Sequence, residues 1–303
     1  MPAEKSAHNK LPKSLMIFGC GYVGTALAKH CLAAGVRVGA LTRNAENADR
    51  LRAMGGDEVV VADLHTADWH SNVAGDYEVV VNCVSSAGGG IDGYRKSYLE
   101  GQASILQWAQ GRSIQRYIYT SSTSVYPQDG GAEVDESADT SAAPETGKVI
   151  VDSEQLIAAA AANFDRWFVL RLAGIYGPTR HYLLDQLKEG AGVIPGSGDY
   201  TLNLIHLDDI VSALCAAMTS VDAASGIYNI ADNSPSLKAE LLEWLAEALD
   251  LPKPQFDPEN VSPRLARRGG RMPDRKIING KARVQLGWSP KYPSFREGYR
   301  DLM

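Results

Sequence analysis

The architecture of this chain follows from the stretch Leu15-Met16-Ile17-Phe18-Gly19-Cys20-Gly21-Tyr22-Val23-Gly24, near the N-terminus. Four apolar residues run into a Gly-x-Gly-x-x-Gly sequence, and apolar residues then recur at helical spacing as far as Gly35. This order predicts a buried strand, a tight turn and a helix. A second strand is expected from Val36 to Leu41, so the stretch opens a strand–helix–strand unit.

Each glycine has a separate role in this prediction. Gly19 permits the turn, Gly21 lets a pyrophosphate approach the backbone, and Gly24 lets the helix pack close to the strand. The helix N-terminus offers unpaired N–H groups and the positive end of its dipole to the phosphates. A Gly-x-Gly-x-x-Gly sequence alone is weak evidence, because a structural turn in an unrelated α/β protein also carries it. Its position between a strand and a helix favours dinucleotide binding.

The end of the second strand indicates which dinucleotide binds. Dehydrogenases that use NAD usually place Asp or Glu there, to accept a hydrogen bond from the ribose 2′-hydroxyl. No carboxylate lies between Val36 and Ala45, and Thr42-Arg43-Asn44 follows the strand instead. A guanidinium suits a 2′-phosphate, and its planar fork can stack on adenine. We therefore expect NADP(H) as the cofactor, with NAD as the alternative.

The remainder of the chain alternates strands with helices, which is typical of a doubly wound parallel sheet. Further strands are expected over 58–62, 79–84, 117–120, 167–172 and 227–230, and helices over about 94–110, 147–162, 183–188, 208–218 and 237–249. Ser85 begins the loop after the fourth strand, at the edge where ligands of such sheets bind. Residues Asn203 to His206 are expected to return to the sheet.

The predicted fold class is α/β, a doubly wound parallel (Rossmann) sheet with a small, discontinuous C-terminal substrate domain. Residues 1–13 are expected to form a flexible tail. The dinucleotide-binding domain is expected to comprise residues 14–177 and about 203–231. The substrate domain is expected to comprise about 178–202 and 232–303.

Composition limits the partners and the compartment. The 303 residues carry a net charge of −6 and a pI near 5.6, which gives no support to binding of nucleic acid or an anionic membrane. No apolar run has the length of a membrane span or a signal peptide, so we expect a cytoplasmic protein. Cys20, Cys31, Cys83 and Cys215 lack Cys-x-x-Cys spacing, which predicts buried thiols, without disulfides and without a metal site.

Further motifs extend over nearly the whole chain: Asp63-Leu64, Ser121 to Pro127, Arg171 with Tyr176-Gly177-Pro178, Asn203 to Ile210, and Leu286 to Pro290. With the glycine stretch, they resemble the extended short-chain dehydrogenase/reductases, the group of sugar-nucleotide epimerases and dehydratases. The resemblance implies that the glycine stretch, Thr42 to Asn44, Asp63, Leu64 and Ser85 hold the cofactor. It also implies that Ser122 polarises a substrate oxygen, with Thr123 beside it as the nearest substitute.

The chain departs from this family at the expected acid/base pair. The family carries Tyr-x-x-x-Lys on a helix, followed four residues later by Glu. With Glu154 as the anchor of the alignment, Thr146 stands at the tyrosine position and Ile150 at the lysine position. In lacking this Tyr/Lys pair, the chain is similar to an atypical branch of the family, the YeeZ-like proteins. Lys148 lies two residues before Ile150, about 200° around a helix, so we expect it to face away as a solvated lysine.

Other proton donors are expected from the segment after Pro178. Arg180 would pair with a substrate carboxylate or phosphate, and His181 and Tyr182 are the candidate catalytic donors beside Ser122. An exposed loop without catalytic function remains the alternative. Tyr94 and Tyr98 are interpreted as packing residues. A group of arginines would either meet a diphosphate or form a solvated basic loop: Arg264, Arg267, Arg268 and Arg271.

Three functions remain open on the sequence. The first is an NADP(H)-dependent, epimerase-like oxidoreductase acting on a small carbonyl or nucleotide-sugar-like molecule without the usual Tyr/Lys pair. The second is a catalytically silent NADP(H)-binding sensor or regulatory module, and the third is a structural protein with a degenerate site. The helices about 94–110 and 147–162 are expected to form a homodimer contact, because the alanines Ala158 to Ala162 allow close approach.

Overall fold

The computed structural model describes residues 10–86, 88–190, 192–260 and 272–303. Its main feature is a seven-stranded, all-parallel sheet in the order β12-β7-β5-β4-β1-β2-β3. These strands are β1 (Ser14–Phe18), β2 (Arg37–Thr42), β3 (Glu58–Val61), β4 (Val79–Asn82), β5 (Ile114–Ser122), β7 (Phe164–Leu172) and β12 (Gly226–Ile230). The predicted doubly wound α/β fold is confirmed, with β1 between the two halves of the sheet.

Short strands form four two-stranded sheets outside the main one, in the pairs β10–β13, β11–β8, β14–β9 and β15–β6. They are β6 (Ala132–Val134), β8 (Gly174–Tyr176), β9 (Val193–Pro195), β10 (Thr201–Leu202), β11 (Leu204–His206), β13 (Ser236–Leu237), β14 (Gln255–Asp257) and β15 (Arg275–Ile277).

The α-helices are α1 (Tyr22–Ala33), α2 (Ala45–Ala53), α3 (Gly90–Tyr94), α4 (Gly101–Ala109), α5 (Glu145–Ala159), α6 (Tyr182–Lys188), α7 (Leu207–Thr219), α8 (Lys238–Ala248), α9 (Gly280–Gln285) and α10 (Phe295–Arg300). Single 3-10 turns occupy His70–Asn72, Thr123–Val125 and Ala161–Asn163, and a π-helical turn occupies Arg95–Glu100. The predicted helix over about 94–110 is thus longer, and it contains a π turn that the sequence pattern does not reveal.

Alternate residues of β1 divide the core between the two faces of the sheet. Leu15 and Ile17 belong to a cluster with buried residues of α1 and α7, whereas Met16 and Phe18 belong to a second cluster with α4. All four side chains are fully buried. A strand covered on both faces reads as a continuous apolar run, which is why β1 and β4 lack a polar alternation.

One predicted connection is wrong. Residues Asn203 to His206 do not return to the main sheet, because β11 pairs in parallel with β8, which lies beyond the end of β7. Three residues of apolar pattern cannot distinguish these two partners. The pairing places His206 beside Tyr176.

A third apolar cluster comes from the C-terminal half of the chain. It joins α6, β9, α8 and α10 through buried residues such as Leu184, Ile194, Leu241 and Phe295. The domain boundaries expected from the sequence remain predictions. The predicted arginine group at 264–271 lies outside the described residues.

Candidate functional site

The glycine stretch forms the turn between β1 and α1. Gly19 has a φ of +87°, and a Cβ added there would lie 2.6 Å from the backbone nitrogen of Val84. A Cβ at Gly24 would lie 2.4 Å from the carbonyl oxygen of Gly19. At Gly21, in contrast, nothing lies within 4 Å of an added Cβ. Two of the glycines are therefore required by the fold itself, and the third faces open space beside the helix.

The N-terminus of α1 presents backbone donors to this space. The first hydrogen bond of the helix runs from Thr25 N to Gly21 O at 3.0 Å. The N–H groups of Tyr22, Val23 and Gly24 precede this bond, so they lie ahead of the helical pattern. Together with the helix dipole, such groups form an anion site.

A cleft with a volume of about 200 Å³ lies next to this turn. Nine of the predicted cofactor residues line it: Gly19, Cys20, Gly21, Thr42, Arg43, Asn44, Asp63, Leu64 and Ser85. They follow β1, β2, β3 and β4, whose carboxyl ends meet at one edge of the sheet. The structure therefore brings together, across four separate strands, residues that the sequence predicts to share one ligand.

The end of β2 is held in place by short polar contacts. Asn44 caps α2 by accepting a hydrogen bond from Asn47 N at 2.9 Å, and the Asn47 side chain donates to Cys20 O at 3.2 Å. Thr42 is buried and accepts from Asn44 N at 3.3 Å. Arg43 is exposed, so its guanidinium is accessible to a ligand in the cleft.

Asp63 is the one carboxylate among the residues that line the cleft. Burial alone would raise the pKa of Asp63, but hydrogen bonding to His65 and the charges of His65 and Arg43 lower it below its ordinary value. The His65 Nδ1 atom lies 2.8 Å from Asp63 Oδ1. Asp63 is therefore ionised at neutral pH.

Six further residues of the cleft are not predicted from the sequence: Leu41, Asn47, Cys83, Val84, Lys96 and Ser97. Leu41, Cys83 and Val84 adjoin predicted positions, and Asn47 follows its capping residue by three positions. Lys96 and Ser97 come from the π turn. No local sequence signal places that turn at the edge of the sheet.

Ser122, the last residue of β5, and Thr123, which follows it, differ in their contacts. The Ser122 hydroxyl accepts a hydrogen bond from Ser124 N at 3.1 Å, and this side chain is half-buried. The Thr123 hydroxyl donates to Leu172 O at 3.3 Å and is buried. Of the two hydroxyls, that of Ser122 is the better placed to meet a substrate.

A buried ion pair supports the end of β5 from beneath. Arg171 donates to both carboxylate oxygens of Glu154, at 3.0 Å and 2.6 Å, and both side chains are only 4% exposed. Ser121 donates to the same carboxylate at 2.5 Å. The Arg171 guanidinium also stacks on the Tyr126 ring, 4.8 Å from its centroid. The network connects α5, β5 and β7.

Thr146, Lys148 and Ile150, the residues of α5 that were compared with the family motif, differ in their burial. Ile150 is 1% exposed and packs in the first core cluster. Thr146 is half-buried, and Lys148 is exposed. Ile150 and Lys148 therefore lie on opposite sides of the helix, as their spacing predicts.

The segment after β8 contacts the first residue of α1. Tyr22 Oη donates to Pro178 O at 2.8 Å, and the Arg180 guanidinium lies 5.5 Å from the centroid of the Tyr22 ring. The backbone of Gly177 and Arg180 forms a tight turn through two reciprocal hydrogen bonds, of 3.1 Å and 3.0 Å. Arg180 is thus next to the N-terminus of α1. Val23, like Tyr22 and Gly24, is not among the residues that line the cleft.

His181 and Tyr182 lie at the start of α6, away from the residues that line the cleft. The His181 Nδ1 atom lies 2.7 Å from Asp185 Oδ1, and Tyr182 is 59% exposed. The proposed donor function of these two residues stays a prediction.

The thiols of the cleft are neutral. Burial raises the pKa of Cys83 to about 12 and raises that of Cys20 further. Within the described ranges, no three His, Cys, Asp or Glu side chains gather in a way that could hold a metal ion. In the same ranges, every helix is too short or too polar to cross a membrane.

Known proteins resemble this chain over most of its length. The sequence pattern of the NAD dependent epimerase/dehydratase family matches residues 15–231. A 3-diazoavenalumate denitrifying reductase from a Streptomyces species is 28% identical, with 92% of this chain and 96% of the relative aligned. Protein YeeZ of Escherichia coli K12 is also 28% identical, over 93% of this chain and 97% of its own.

A solved structure shares the fold. The UDP-glucuronic acid 4-epimerase of Bacillus cereus, in complex with UDP-glucuronic acid and NAD, superposes with a TM-score of 0.79 at 19% identity. The superposition covers 95% of this chain and 96% of that one.

Proposed function

This chain belongs to the NAD-dependent epimerase/dehydratase family, and we propose that it is an NADP(H)-dependent reductase of a small electrophile. The observation that carries the proposal is the cleft at the ends of β1 to β4, which is lined by the glycine turn that leads into α1, by Arg43 and by Asp63. The position of Arg43 after β2, without a neighbouring carboxylate, favours the 2′-phosphate of NADP over the free hydroxyl of NAD.

Ser122 and Arg180 are the residues proposed to meet the substrate. Ser122 is the last residue of β5, the strand next to β4, and its side chain is half-buried. Arg180 would pair with a carboxylate or phosphate of the substrate through its planar fork. His181 and Tyr182 follow Arg180 directly, and we propose that one of them supplies a proton when a reaction needs one.

The chemistry of the hydride acceptor decides whether such a proton is needed. Reduction of a carbonyl adds a hydride to carbon and a proton to oxygen. Reductive removal of an aryl diazonium group adds a hydride to the ring carbon and releases dinitrogen, so no protein acid takes part. The name of the Streptomyces relative joins a diazo substrate to denitrifying reduction. We therefore propose a diazonium ion as a substrate class beside small carbonyls and nucleotide-sugar-like molecules.

Cofactor titrations test the first part of the proposal. We expect NADPH to bind at least tenfold more tightly than NADH, and Arg43→Ala to remove most of this difference, which corresponds to about 1.4 kcal/mol. Quenching of protein fluorescence or calorimetry measures both affinities. Equal affinities of the unmutated protein for the two cofactors would contradict the preference for NADP.

Turnover assays test the second part. NADPH oxidation is followed with an aldehyde, a UDP-sugar and an aryl diazonium salt, each corrected for the reaction without enzyme. We expect carbonyl reduction to depend on Ser122 and on His181 or Tyr182, and diazonium reduction to persist in Ser122→Ala. Rapid epimerisation of a UDP-sugar that is indifferent to His181 and Tyr182 would show that the alignment at Thr146 and Ile150 is wrong.

A catalytically silent NADP(H) sensor is the second candidate. The buried Ile150 favours it, because an apolar side chain there supplies no charge to a nicotinamide ribose or to a proton donor. Tight NADPH binding without consumption of the cofactor by any class of acceptor would support the sensor over the reductase.

We also propose a homodimer through α4 and α5. Some of their outward positions carry small or neutral residues, namely Ala103, Gln107, Gln155, Ala158 and Ala159, all of them exposed. Sedimentation at micromolar concentration distinguishes a dimer from a monomer, and the monomer mass would refute this contact.

A further inference from the structure

The connection from β4 to β5 contains a π-helical turn at the edge of the candidate cofactor cleft. Residues Arg95–Glu100 form this turn between α3 and α4, and Gly101 N donates to the carbonyl oxygen of Lys96, five residues earlier. A π turn inserts one residue into the helical repeat and changes the direction of the side chains that follow it. Lys96 and Ser97 of this turn line the cleft.

The position of Gly101 shows which part of the cleft the turn adjoins. A Cβ added at Gly101 would lie 3.3 Å from Lys96 O and 3.5 Å from Leu64 Cβ. Leu64 follows β3, and β3 is the neighbour of β2, which ends at Thr42, directly before Arg43. The π turn therefore approaches the same half of the cleft as Arg43, although the two segments are about 50 residues apart in the sequence.

Lys96 differs from the other charged residues of the cleft lining in its ion pairing. Three residues of the lining carry a charge at neutral pH, namely Arg43, Asp63 and Lys96. Asp63 has a partner of its own, since its Oδ1 atom lies 2.8 Å from His65 Nδ1, and the charge of Arg43 also lowers its pKa. Lys96 is exposed, and the ion pairs found in the described part of the chain do not include it. The cleft thus contains a cation without a carboxylate partner.

We propose that Lys96 binds a phosphate group of the dinucleotide. The inference rests on the proposed cofactor function and adds a binding residue to it. The backbone donors of α1 serve the pyrophosphate, and Arg43 serves the 2′-phosphate. A lysine ammonium is a compact charge on a flexible stem, so it can reach either group from the π turn.

Titration of NADPH and NADH with matched variants tests this inference. Lys96→Ala removes the charge, Lys96→Arg retains it, and Arg95→Ala is the control, since Arg95 is an exposed cation on the same turn that does not line the cleft. We expect Lys96→Ala to weaken NADPH binding about tenfold, as expected for loss of a charge-assisted hydrogen bond. Lys96→Arg is expected to stay within about threefold of the unmutated protein, and Arg95→Ala within about twofold.

The two cofactors identify which phosphate Lys96 contacts. An equal loss for NADPH and NADH would assign the pyrophosphate, whereas a loss for NADPH alone would assign the 2′-phosphate, and both results support the inference. In each case the loss should shrink as salt is added, because exposed charges are screened. Because Lys96 is exposed, melting temperatures of the free variants should remain unchanged, which excludes a folding effect.

Two outcomes would overturn the inference, and they differ from each other. If Lys96→Ala binds both cofactors as the unmutated protein does, while Arg43→Ala weakens NADPH, Lys96 is a solvated surface lysine and the cofactor proposal stands. If the unmutated protein binds neither NADPH nor NADH, the proposed function fails and the inference fails with it.

Discussion

The candidate cofactor cleft and the region around Ser122 are built in different ways. Most of the cleft lining comes from short segments at the ends of strands, and nine residues predicted from these segments meet there. The region around Ser122 depends on contacts between distant segments, such as Ser121 with Glu154 and Tyr22 with Pro178. The residues predicted to cooperate in it, Ser122 and His181, have separate partners.

The comparison shows that residues at strand ends can be located from the sequence alone. In a parallel sheet, all carboxyl ends reach one edge, so a motif at a strand end is placed as soon as the strand is recognised. A side chain on a loop or on α6 has no such constraint. Its position is decided by tertiary packing. Five substitutions test the two regions and the buried contacts beyond β12.

The largest effect is expected for Glu154→Ala, in the second region. The change leaves the Arg171 guanidinium buried without its carboxylate and removes the acceptor of Ser121. Loss of one partner of a buried ion pair typically costs about 3–5 kcal/mol, so we expect a large drop in the free energy of unfolding. Urea unfolding measures it, with Glu154→Gln as the isosteric control. A midpoint equal to that of the unmutated protein would show that the pair is dispensable.

Gly24→Ala and Gly21→Ala form a matched pair in the first region. The added methyl group meets Gly19 O at 2.4 Å in the first variant and open space in the second. We expect Gly24→Ala to lower the free energy of unfolding by about 3 kcal/mol through overpacking. Gly21→Ala should instead retain its stability and lose about tenfold in NADPH affinity, because the methyl group obstructs the pyrophosphate. Similar melting curves for the two variants would contradict the division of roles between these glycines.

Asp232→Asn tests the buried polar contacts beyond β12. Burial is the main cause that raises the pKa of Asp232 to about 8, and the charges of Asp209 and Glu297 add to this rise. A hydrogen bond from Ser234 N acts in the opposite direction. The unfolded chain releases this proton near its ordinary pKa, so between pH 4 and 8 the folded state binds more protons and stability falls as the pH rises. The loss is at most about 1.4 kcal/mol per pH unit.

The asparagine variant lacks this titration. We expect it to gain stability relative to the unmutated protein between pH 5 and 8, with the two proteins converging at lower pH. Thermal unfolding across this range measures the difference. A constant offset between the two proteins at every pH would mean that Asp232 is ionised in the folded state.

The smallest effect is expected for Lys148→Ala. Lys148 is exposed on α5, on the side opposite to Ile150. Neither the NADPH affinity nor the free energy of unfolding should change by more than about 0.5 kcal/mol, which is usual for surface positions. A clear loss of cofactor affinity in this variant alone would mean that Lys148 replaces the lysine of the family. The second region would then resemble the family pattern more closely than the alignment at Ile150 indicates.

Most of the main sheet is predictable because its signals are local. Continuous apolar runs predict β1 and β4, and the glycines predict the turn after β1. The partner of β11 and the π turn at Lys96 are not predictable in this way. A three-residue strand has no pattern that selects its neighbour, and a π turn differs from an α turn by one residue in the hydrogen-bond register.

The amino-acid sequence by itself determined the parallel sheet, the glycine turn and the strand-end residues of the cofactor cleft. These depend on backbone conformations and on periodicities that a few neighbouring residues specify. Tertiary structure alone decided that Lys96 lines the same cleft as Leu64, and that Tyr22 donates a hydrogen bond to Pro178 across 156 positions of the chain. It also decided that Glu154 and Arg171 meet beneath Ser121. Such contacts arise only when the sheet brings its helices and loops together, since nothing in the adjacent residues specifies a distant partner.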